Sequence, residues 1–255
     1  MARVFITGST DGLGRAAAQA LLDDGHEVVL HARSAERAAA VAHLAAGALG
    51  IAIGDLESAV DTRSVAEQVN AIGRMDAVIH NAGIYRDRDR GPTPEGHARI
   101  LAINALAPYI LTALMRRPDR LIYVSSSENF NGAGPLRDID WLKRRWDPAR
   151  AYAESKLYVV ALAFAVARRW PAVLSNAVDP GWARTRMGGA LAPVSLDTGQ
   201  RTQSWLAVSK EPAAMVSGFY WNNLRHQQPA SNTTDIRFQD QLIAEFRNLT
   251  DVALD

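Results

Sequence analysis

The sequence predicts an α/β fold in which a single domain is built on a doubly wound, parallel sheet with helices on both faces. Three observations support this prediction. Short apolar runs alternate with helical stretches, the apolar runs are continuous rather than alternating, and no Pro/Gly/Ser-rich linker divides residues 1–255. Continuous apolar strands are typical of parallel sheets that are covered on both faces, and the strand–helix rhythm calls for right-handed crossovers.

Each element follows from an apolar run and from the residues that begin or end it. A strand over 3–6 leads into a glycine-rich turn and an alanine-rich helix over 15–22, which Gly25 ends. Apolar runs predict further strands over 27–31, 49–53, 76–80, 121–125 and 172–178. Helices are predicted over 35–44, 96–115, 151–169 and 236–249, and the last of these carries apolar residues at the spacing of one buried stripe.

Two segments interrupt this rhythm, at about 131–150 and about 182–212. Both are rich in glycine, proline and polar residues, and tryptophans are inserted in both. Long irregular segments in compact domains are usually functional or disordered, and the tryptophans favour a functional role. We therefore expect both segments to be lid-like loops. The residues that mark them are Gly132, Gly134, Pro135, Trp141, Trp146 and Pro148 in the first, and Trp182, Met187 and Trp205 in the second.

The composition excludes several classes of protein. The chain has no cysteine, so disulfides and thiolate sites are excluded and an oxidising compartment is not indicated. Its 28 Lys+Arg and 27 Asp+Glu residues give a net charge of +1, which argues against a nucleic-acid partner. No apolar run approaches the about 18 residues of a membrane span, and the N-terminus lacks the layout of a signal peptide. We expect a cytoplasmic protein without a membrane span and, because its six histidines are scattered, without a metal.

A glycine-rich turn lies directly after the first predicted strand and opens the first helix. Backbone without side chains can approach a pyrophosphate closely, and the helix N-terminus stabilises its charge. Such turns also occur for steric reasons alone, but this one is the first strand-to-helix turn of the chain. The predicted phosphate-binding residues are Gly8, Ser9, Thr10, Asp11, Gly12, Leu13 and Gly14.

The end of the second strand indicates which dinucleotide would bind. A carboxylate there suits the ribose 2′-hydroxyl of NAD, whereas an arginine suits the 2′-phosphate of NADP. The sequence has Arg33 and no acidic residue at this point, and Arg15 could add a second positive charge. A solvated surface arginine is the alternative interpretation of Arg33. The missing acid favours NADP(H) over NAD(H).

Tyr152 and Lys156 lie four residues apart, on one face of a predicted helix. Taken alone, this spacing is better explained by a solvated Tyr–Lys pair. A phenol is a poor base at neutral pH, however, so a nearby ammonium group would bring it closer to a useful pKa.

With these motifs the chain resembles the short-chain dehydrogenase/reductase family, from Val4 to about Thr185. The resemblance implies a single NAD(P)-binding domain of the Rossmann type over 1–255, and it extends the set of cofactor-binding residues. The residues that match the family's motifs are Gly8, Gly12 and Gly14 in the turn, Asp55 and Leu56 after the third strand, Asn81, Ala82 and Gly83 after the fourth, and Pro180, Gly181 and Thr185 after the sixth. His80 stands where the family usually has an asparagine.

The same resemblance implies four catalytic residues. Tyr152 would donate or accept the proton. Lys156 would activate Tyr152 and would also hold the cofactor, and Asn104 would hold a water in a proton relay. Ser126 is the expected catalytic serine, although Ser125 and Ser127 remain alternatives. The implied reaction interconverts a carbonyl and an alcohol.

The segment between Ser126 and Tyr152 is longer than in the shortest family members, and it resembles the retinol-dehydrogenase-like and protochlorophyllide-reductase-like branch. Such a loop commonly shapes a site for bulky apolar substrates, so we expect some tryptophans of the two loops to line an apolar pocket. The substrate is then a small-to-medium, apolar carbonyl or alcohol, and the chain could form a homo-oligomer. The rival hypotheses are a non-catalytic NADP-sensing protein and a sugar-nucleotide epimerase-like enzyme. The epimerase is disfavoured by Asp11 in the turn and by the short C-terminal part.

Overall fold

A computed structural model describes residues 1–85, 87–133 and 136–255. Its centre is one eight-stranded sheet with the strand order β3-β2-β1-β4-β5-β6-β7-β8. Every neighbouring pair is parallel except β7 and β8, which are antiparallel. The strands are β1 (Arg3–Ile6), β2 (Glu27–Ala32), β3 (Gly50–Ile53), β4 (Ala77–His80), β5 (Arg120–Val124), β6 (Leu174–Asp179), β7 (Tyr220–Asn222) and β8 (Arg225–Gln227). The predicted doubly wound sheet is confirmed, with an antiparallel strand added at one edge.

Helices cover both faces of the sheet. They are α1 (Gly12–Asp23), α2 (Ala35–Ala39), α3 (Ala42–Ala45), α4 (Ala59–Ile72), α5 (Arg99–Leu101), α6 (Ala107–Leu114), α7 (Pro148–Arg169), α8 (Leu196–Val208), α9 (Ser231–Thr234) and α10 (Ile236–Thr250). Within the described part of the chain, none of these helices is long and apolar enough to cross a bilayer.

Successive residues of the strands point into two separate cores, as the two-residue period of a strand requires. Phe5 of β1 packs in the core formed with α4, α6, α7 and α10. Its neighbours Val4 and Ile6 pack in the other core, formed with α1 and α8. Both faces of the sheet are therefore covered by apolar packing. Polar side chains that could form a site are found at the carboxyl ends of the strands.

Two predicted helices differ from the structure. The helix expected over 35–44 is split into α2 and α3 at Val41, whose backbone leaves the helical region while its side chain enters the core. The helix expected over 96–115 begins at Arg99 and contains a turn of π-helix, Ala102–Leu106, between α5 and α6. This wider turn contains Asn104, and π-turns inside α-helices frequently occur at functional sites.

The second expected loop is shorter than predicted, because residues 196–208 form helix α8. Ser195 caps this helix, its hydroxyl accepting from the backbone N–H of Thr198 at 3.1 Å. Trp205 lies on α8 and packs edge-on against the buried ring of Trp221, with ring centroids 5.3 Å apart. The prediction of a lid-like loop over 182–212 was therefore wrong beyond about residue 195. Trp205 packs against the core and does not belong to a loop.

The first expected loop is held firmly against α7. The guanidinium of Arg144 donates to both carboxylate oxygens of Glu154 at 2.8 Å and also pairs with Asp138. The carboxylate of Asp138 in turn accepts from backbone N–H groups, including that of Leu142 at 2.8 Å. Gly134 and Pro135, which marked this loop in the sequence, lie outside the described residues. The remainder of the segment is a fixed wall beside the start of α7.

Candidate active site

The glycine-rich turn has the geometry that only glycine supports. Gly8 and Gly12 both have positive φ, 65° and 53°, where a side chain is strained. A Cβ added at Gly14 would collide with the carbonyl oxygen of Gly8 and the side-chain amide of Asn81. Asp11 caps α1 by accepting from the N–H of Gly12 at 2.8 Å. The turn therefore leaves open backbone at the N-terminus of a helix, as a phosphate site needs.

A buried histidine supports this turn. Nδ1 of His31, at the end of β2, accepts from the N–H of Gly8 at 2.9 Å, and its Nε2 donates to the carbonyl oxygen of Gly54 at the same distance. Burial lowers the pKa of His31 to about 4, so the ring is neutral and can act as this acceptor. Sequence reasoning missed His31, although a histidine at the end of the second strand, facing the glycine turn, was a usable signal.

The residues after β4 lie against the same turn. The hydroxyl of Thr7 accepts from the N–H groups of Asn81 and Ala82, both at 2.9 Å, and the Asn81 amide donates to the carbonyl oxygen of Thr7 at 3.0 Å. A Cβ at Gly8 would lie 3.1 Å from Cα of Ala82. The structure thus brings together the two motifs that the sequence assigned to the cofactor.

Two arginines pair with the aspartate of the turn, and a third, Arg33, directly follows β2. Arg33 is exposed and, among the described residues, has no ion-pair partner. Arg37 and Arg186 both pair with Asp11, at 3.5 and 3.1 Å. The sequence analysis missed these two, because they come from a helix and a loop that are distant along the chain. Arg15 instead contacts His43 at 3.1 Å.

Asp55 and Leu56, which follow β3, have different surroundings. The carboxylate of Asp55 accepts from the N–H of Glu57 at 3.1 Å and so closes the turn before α4. The side chain of Leu56 is buried in the core formed with α4. Only the backbone of Leu56 is therefore in a position to face a cofactor.

Tyr152, Lys156 and Ser126 come together where β5 ends and α7 begins. Tyr152 is 7% exposed, and the side chain of Ser126 lies close enough to its hydroxyl to lower its pKa. Burial raises the pKa of Tyr152 to about 12, while Ser126 opposes that shift. Nζ of Lys156 lies 5.7 Å from the centroid of the Tyr152 ring and donates to the carbonyl oxygen of Val124 at 2.9 Å. Burial lowers the pKa of Lys156 to about 8.

The three consecutive serines after β5 have different surroundings. The hydroxyl of Ser125 is buried and donates to the carbonyl oxygen of Lys156 at 3.0 Å, so it faces the backbone of α7. Ser127 is exposed. Ser126 lies between them and is the serine that contacts the hydroxyl of Tyr152. The geometry favours Ser126 over its two neighbours.

Asn104 joins the π-turn to the loop after β4. Its Oδ1 accepts from the N–H of Ile84 at 2.8 Å, and its Nδ2 donates to the carbonyl oxygen of Ile84 at 3.0 Å and to Ser155 Oγ at 2.9 Å. A Cβ at Gly83 would lie 3.3 Å from both Asn104 Oδ1 and Lys156 Nζ. Asn104, Gly83 and Lys156 therefore meet at one point below Tyr152.

The segment after β6 returns to the glycine turn. Gly181 has a φ of 74°, and its N–H donates to Oδ1 of Asp179 at 2.9 Å. A Cβ at Gly12 would lie 3.2 Å from Cγ2 of Thr185, which places Thr185 directly over the turn. The structure thus collects the matched residues after β1, β4, β5 and β6 at one edge of the sheet, where open α/β sheets bind their ligands.

The aromatic residues around this edge differ in their exposure. The Tyr85 ring, which the sequence analysis missed, lies edge-on to Tyr152 with centroids 4.5 Å apart. Trp182 is 60% exposed and its indole donates to the carbonyl oxygen of Gly188 at 2.8 Å. Trp141 is buried beneath the guanidinium of Arg144, and Trp146 donates to the carbonyl oxygen of Asp87 at 3.1 Å.

Among the described residues no cluster of His, Asp and Glu could hold a metal ion.

Comparison with known proteins gives the chain's relationships. Residues 2–132 match the family model described as short chain dehydrogenase. An uncharacterised oxidoreductase of Emericella nidulans is 38% identical over 100% of this chain and 99% of its own length. Human retinol dehydrogenase 13 is 29% identical over 96% of this chain and 83% of its own length. A crystal structure of an uncharacterised protein from Mycobacterium paratuberculosis is 27% identical, with a TM-score of 0.85 over 100% of this chain and 95% of that one.

The Rossmann-type sheet, the family match and the full-length relatives agree with one another. The likeness to retinol dehydrogenase 13 agrees with the branch that the long segment before Tyr152 predicted. The chain belongs to the short-chain dehydrogenase/reductase family and is an oxidoreductase.

Proposed function

We propose that this protein is an NADP(H)-dependent oxidoreductase that interconverts a carbonyl and an alcohol on a small-to-medium, apolar substrate. The observation that carries the proposal is that Tyr152 interacts with Ser126 and has the ammonium group of Lys156 5.7 Å from the centroid of its ring. Two hydroxyls that meet at one point can both donate to the same substrate oxygen. That arrangement suits a reaction in which negative charge develops on this oxygen.

The residues present fit a nicotinamide dinucleotide. The glycine turn has no room for side chains at Gly8 and Gly14, so its backbone can lie close to a pyrophosphate at the N-terminus of α1. Thr185 lies over Gly12 of the turn, and Thr185 and Gly181 would hold the nicotinamide end. When bound, the nicotinamide supplies or accepts the hydride.

The chain's own residues would handle the proton. In reduction, Tyr152 donates its hydroxyl proton to the carbonyl oxygen while Ser126 donates a hydrogen bond to that oxygen. Lys156 stabilises the phenolate that remains, because an opposite charge favours the ionised form of a neighbouring acid. Asn104 holds the Gly83–Ile84 loop against Lys156 and would position the water that returns the proton.

The preference for NADP(H) rests on the charges at the outer side of the turn. Arg33 is exposed without an acidic partner among the described residues, and Arg37 lies beside Asp11. Arginine guanidinium groups bind phosphate through paired hydrogen bonds. Together they suit the 2′-phosphate of NADP(H) better than the uncharged 2′-hydroxyl of NAD(H).

The apolar character of the substrate rests on the aromatic surroundings of Tyr152. Tyr85 contacts it directly, and Trp146 is hydrogen-bonded two residues farther along the same loop, at Asp87. Exposed Trp182 would cover the opposite side. We further infer a cytoplasmic enzyme without a nucleic-acid partner, and we regard a homo-oligomer as its assembly.

A substrate panel tests the proposed function. Absorbance of NADPH is followed with ketones and aldehydes of increasing apolar size, and NADH is used in parallel. We expect turnover with NADPH and a kcat/KM that rises with the apolar area of the substrate. An unmodified protein that binds NADPH but reduces no member of a broad panel would support the NADP-sensing alternative.

A further inference from the structure

Asp179 is an acidic residue at the edge of the sheet that the mechanism above does not use. It is the last residue of β6, and its side chain is 8% exposed. Ala177, two residues earlier, packs in the core formed with α7. Because side chains two residues apart in a strand share a face, the carboxylate of Asp179 points to the face that α7 covers.

The register of the sheet places this carboxylate beside Lys156. Val124 of β5 pairs with Val178, the residue before Asp179. The carbonyl oxygen of Val124 is the acceptor for Nζ of Lys156, at 2.9 Å. On the other side, Asn222 of β7 is level with Asp179. The acid and the buried ammonium group therefore lie at neighbouring positions on the same sheet edge.

The direct partners of Asp179 are uncharged donors. Its Oδ1 accepts from the N–H of Gly181 at 2.9 Å, and the side-chain amide of Asn222 donates to the backbone carbonyl oxygen of Asp179 at 3.1 Å. Among the described residues it has no ion pair within contact distance. These bonds fix the carboxylate in place and leave its charge to act on its neighbours.

The other contacts of Lys156 are neutral. They are the carbonyl oxygen of Val124, the Tyr152 ring, and the point where Gly83 meets the amide of Asn104. Burial lowers the pKa of Lys156, and the carboxylate of Asp179 opposes that shift. Burial, Asp179, Tyr85 and Glu128 raise the pKa of Tyr152 and Ser126 lowers it, while Nζ of Lys156 lies 5.7 Å from the centroid of its ring.

We propose that Asp179 is the counter-charge that keeps buried Lys156 in its ammonium form, and so sets the upper pH limit of the acid–base pair. The inference rests on the proposed function in assigning Lys156 to activate Tyr152. Burial favours the neutral amine, and a fixed opposite charge favours the ammonium ion. Asp179 would act on the reaction through the charge of Lys156 and would not contact the substrate, so we class it as a positioning residue.

The test uses the small number of lysines in the chain. Lys143, Lys156 and Lys210 are the three, and the first and last are exposed internal references. The full-length protein labelled with ¹³C at lysine Cε is titrated by NMR, with and without NADP⁺. We expect Asp179→Asn, which keeps the shape and an acceptor oxygen, to lower the Lys156 midpoint by about one pH unit.

Glu128→Gln is the matched control, because it removes a half-exposed acid from the same site and should leave the Lys156 midpoint within the titration error. An Asp179→Asn protein whose Lys156 midpoint equals that of the unmodified chain overturns the proposal. If Asp179→Asn does not fold, Asp179→Ser provides the same comparison in a smaller side chain. The reciprocal measurement is the carboxyl midpoint of Asp179, which should rise in Lys156→Met because the coupling is mutual.

Activity separates this inference from the proposed function. In Asp179→Asn the alkaline limb of kcat/KM for carbonyl reduction should move to lower pH by the same amount as the Lys156 midpoint. Asp179 also raises the pKa of Tyr152 directly, so the NMR shift of Lys156 is the decisive reading. If Asp179→Asn shifts the Lys156 midpoint but Tyr152→Phe keeps its turnover, the proposed function is contradicted and this inference is not. If Asp179→Asn leaves the Lys156 midpoint unchanged and Tyr152→Phe loses its turnover, this inference is contradicted and the proposed function is not.

Discussion

The backbone N–H of Gly8 donates to Nδ1 of His31 at 2.9 Å, across the carboxyl ends of β1 and β2. The first glycine of the glycine-rich turn is thereby held by an acceptor that exists only while the imidazole is neutral. A second buried histidine, His80, ends β4; its Nε2 contacts the hydroxyl of Thr112 at 3.1 Å, and burial lowers its pKa to about 3. Neutral imidazoles are therefore built into the strand ends that carry the site.

These two histidines predict a loss of stability in mild acid. Their folded pKa values, about 4 and about 3, lie below the unfolded value of 6.5. The stability they contribute is complete above pH 6.5 and is lost as the pH falls from 6.5 toward the folded values, because the unfolded chain then binds more protons. Each contributes a slope of up to about 1.4 kcal/mol per pH unit in this window. Urea unfolding between about pH 7 and pH 4.5 measures the slope.

His80→Asn provides the matched variant, since asparagine is the residue usual for the family at this position and does not titrate. We expect its free energy of unfolding to fall less steeply with acid than that of the unmodified chain. Identical slopes for the two proteins would show that His80 is not a source of the acid sensitivity.

The proton-transfer assignment predicts a selective effect of Tyr152→Phe. The ring and its edge-on contact with Tyr85 remain, so folding and NADPH binding should change little. Turnover should fall by at least a factor of about 10² to 10⁴, which general acid–base catalysis typically contributes. Steady-state kinetics on a substrate found in the panel measures the loss, and isothermal titration calorimetry checks binding. Near-normal turnover would remove the proton-transfer role from Tyr152.

The arginines around the turn predict how cofactor preference responds to charge. Arg33→Asp introduces the acid that an NAD site usually carries, so NADP(H) should bind ten- to a hundredfold more weakly while NAD(H) binding is retained. A phosphate contact of about 1.5–3 kcal/mol gives this range. Titration calorimetry with both cofactors measures it, and Arg201→Gln, an exposed arginine of α8, is the control. Equal affinities for NADP(H) and NAD(H) in the unmodified protein would contradict the assignment.

The ion pair between Arg144 and Glu154 of α7 predicts that Arg144 contributes strongly to the free energy of unfolding. Its partner Glu154 is 1% exposed and accepts from both arms of the guanidinium, so Arg144→Leu leaves a buried, unpaired carboxylate. We expect a loss of about 3 kcal/mol in the free energy of unfolding, at the lower end for a buried pair because Arg144 itself is partly exposed. Arg145→Leu, at an exposed neighbour without an ion pair among the described residues, should change the urea midpoint little. Equal effects of the two variants would mean that the Arg144–Glu154 pair does not hold this wall.

The sequence predicted the features that depend on local pattern. The strands of the parallel sheet, the glycine turn and the Tyr152–Lys156 spacing each follow from periodicity or from neighbours in the chain. The contacts of His31, Arg37 and Asp179 join segments that are distant in sequence, so no local pattern reveals them. The three-residue strands β7 and β8 are too short to show a period, and α8 was mistaken for a loop because its apolar residues stand at its two ends, with no helical period across the polar residues between them.

Helix α7 extends over 22 residues and is buried without interruption from Ala151 to Val166. Tyr152 and Lys156 are both in this buried part, so a single rigid turn of helix sets their separation. A change of substrate preference that reshaped α7 would disturb the core on which the whole sheet depends. Diversity among relatives of this chain should therefore be concentrated in the segments that approach Tyr152 from outside, namely the loop that carries Tyr85 and the loop that carries Trp182. If the proposed proton transfer holds, substitutions in these two loops should change substrate preference while leaving the separation of Tyr152 and Lys156 unchanged.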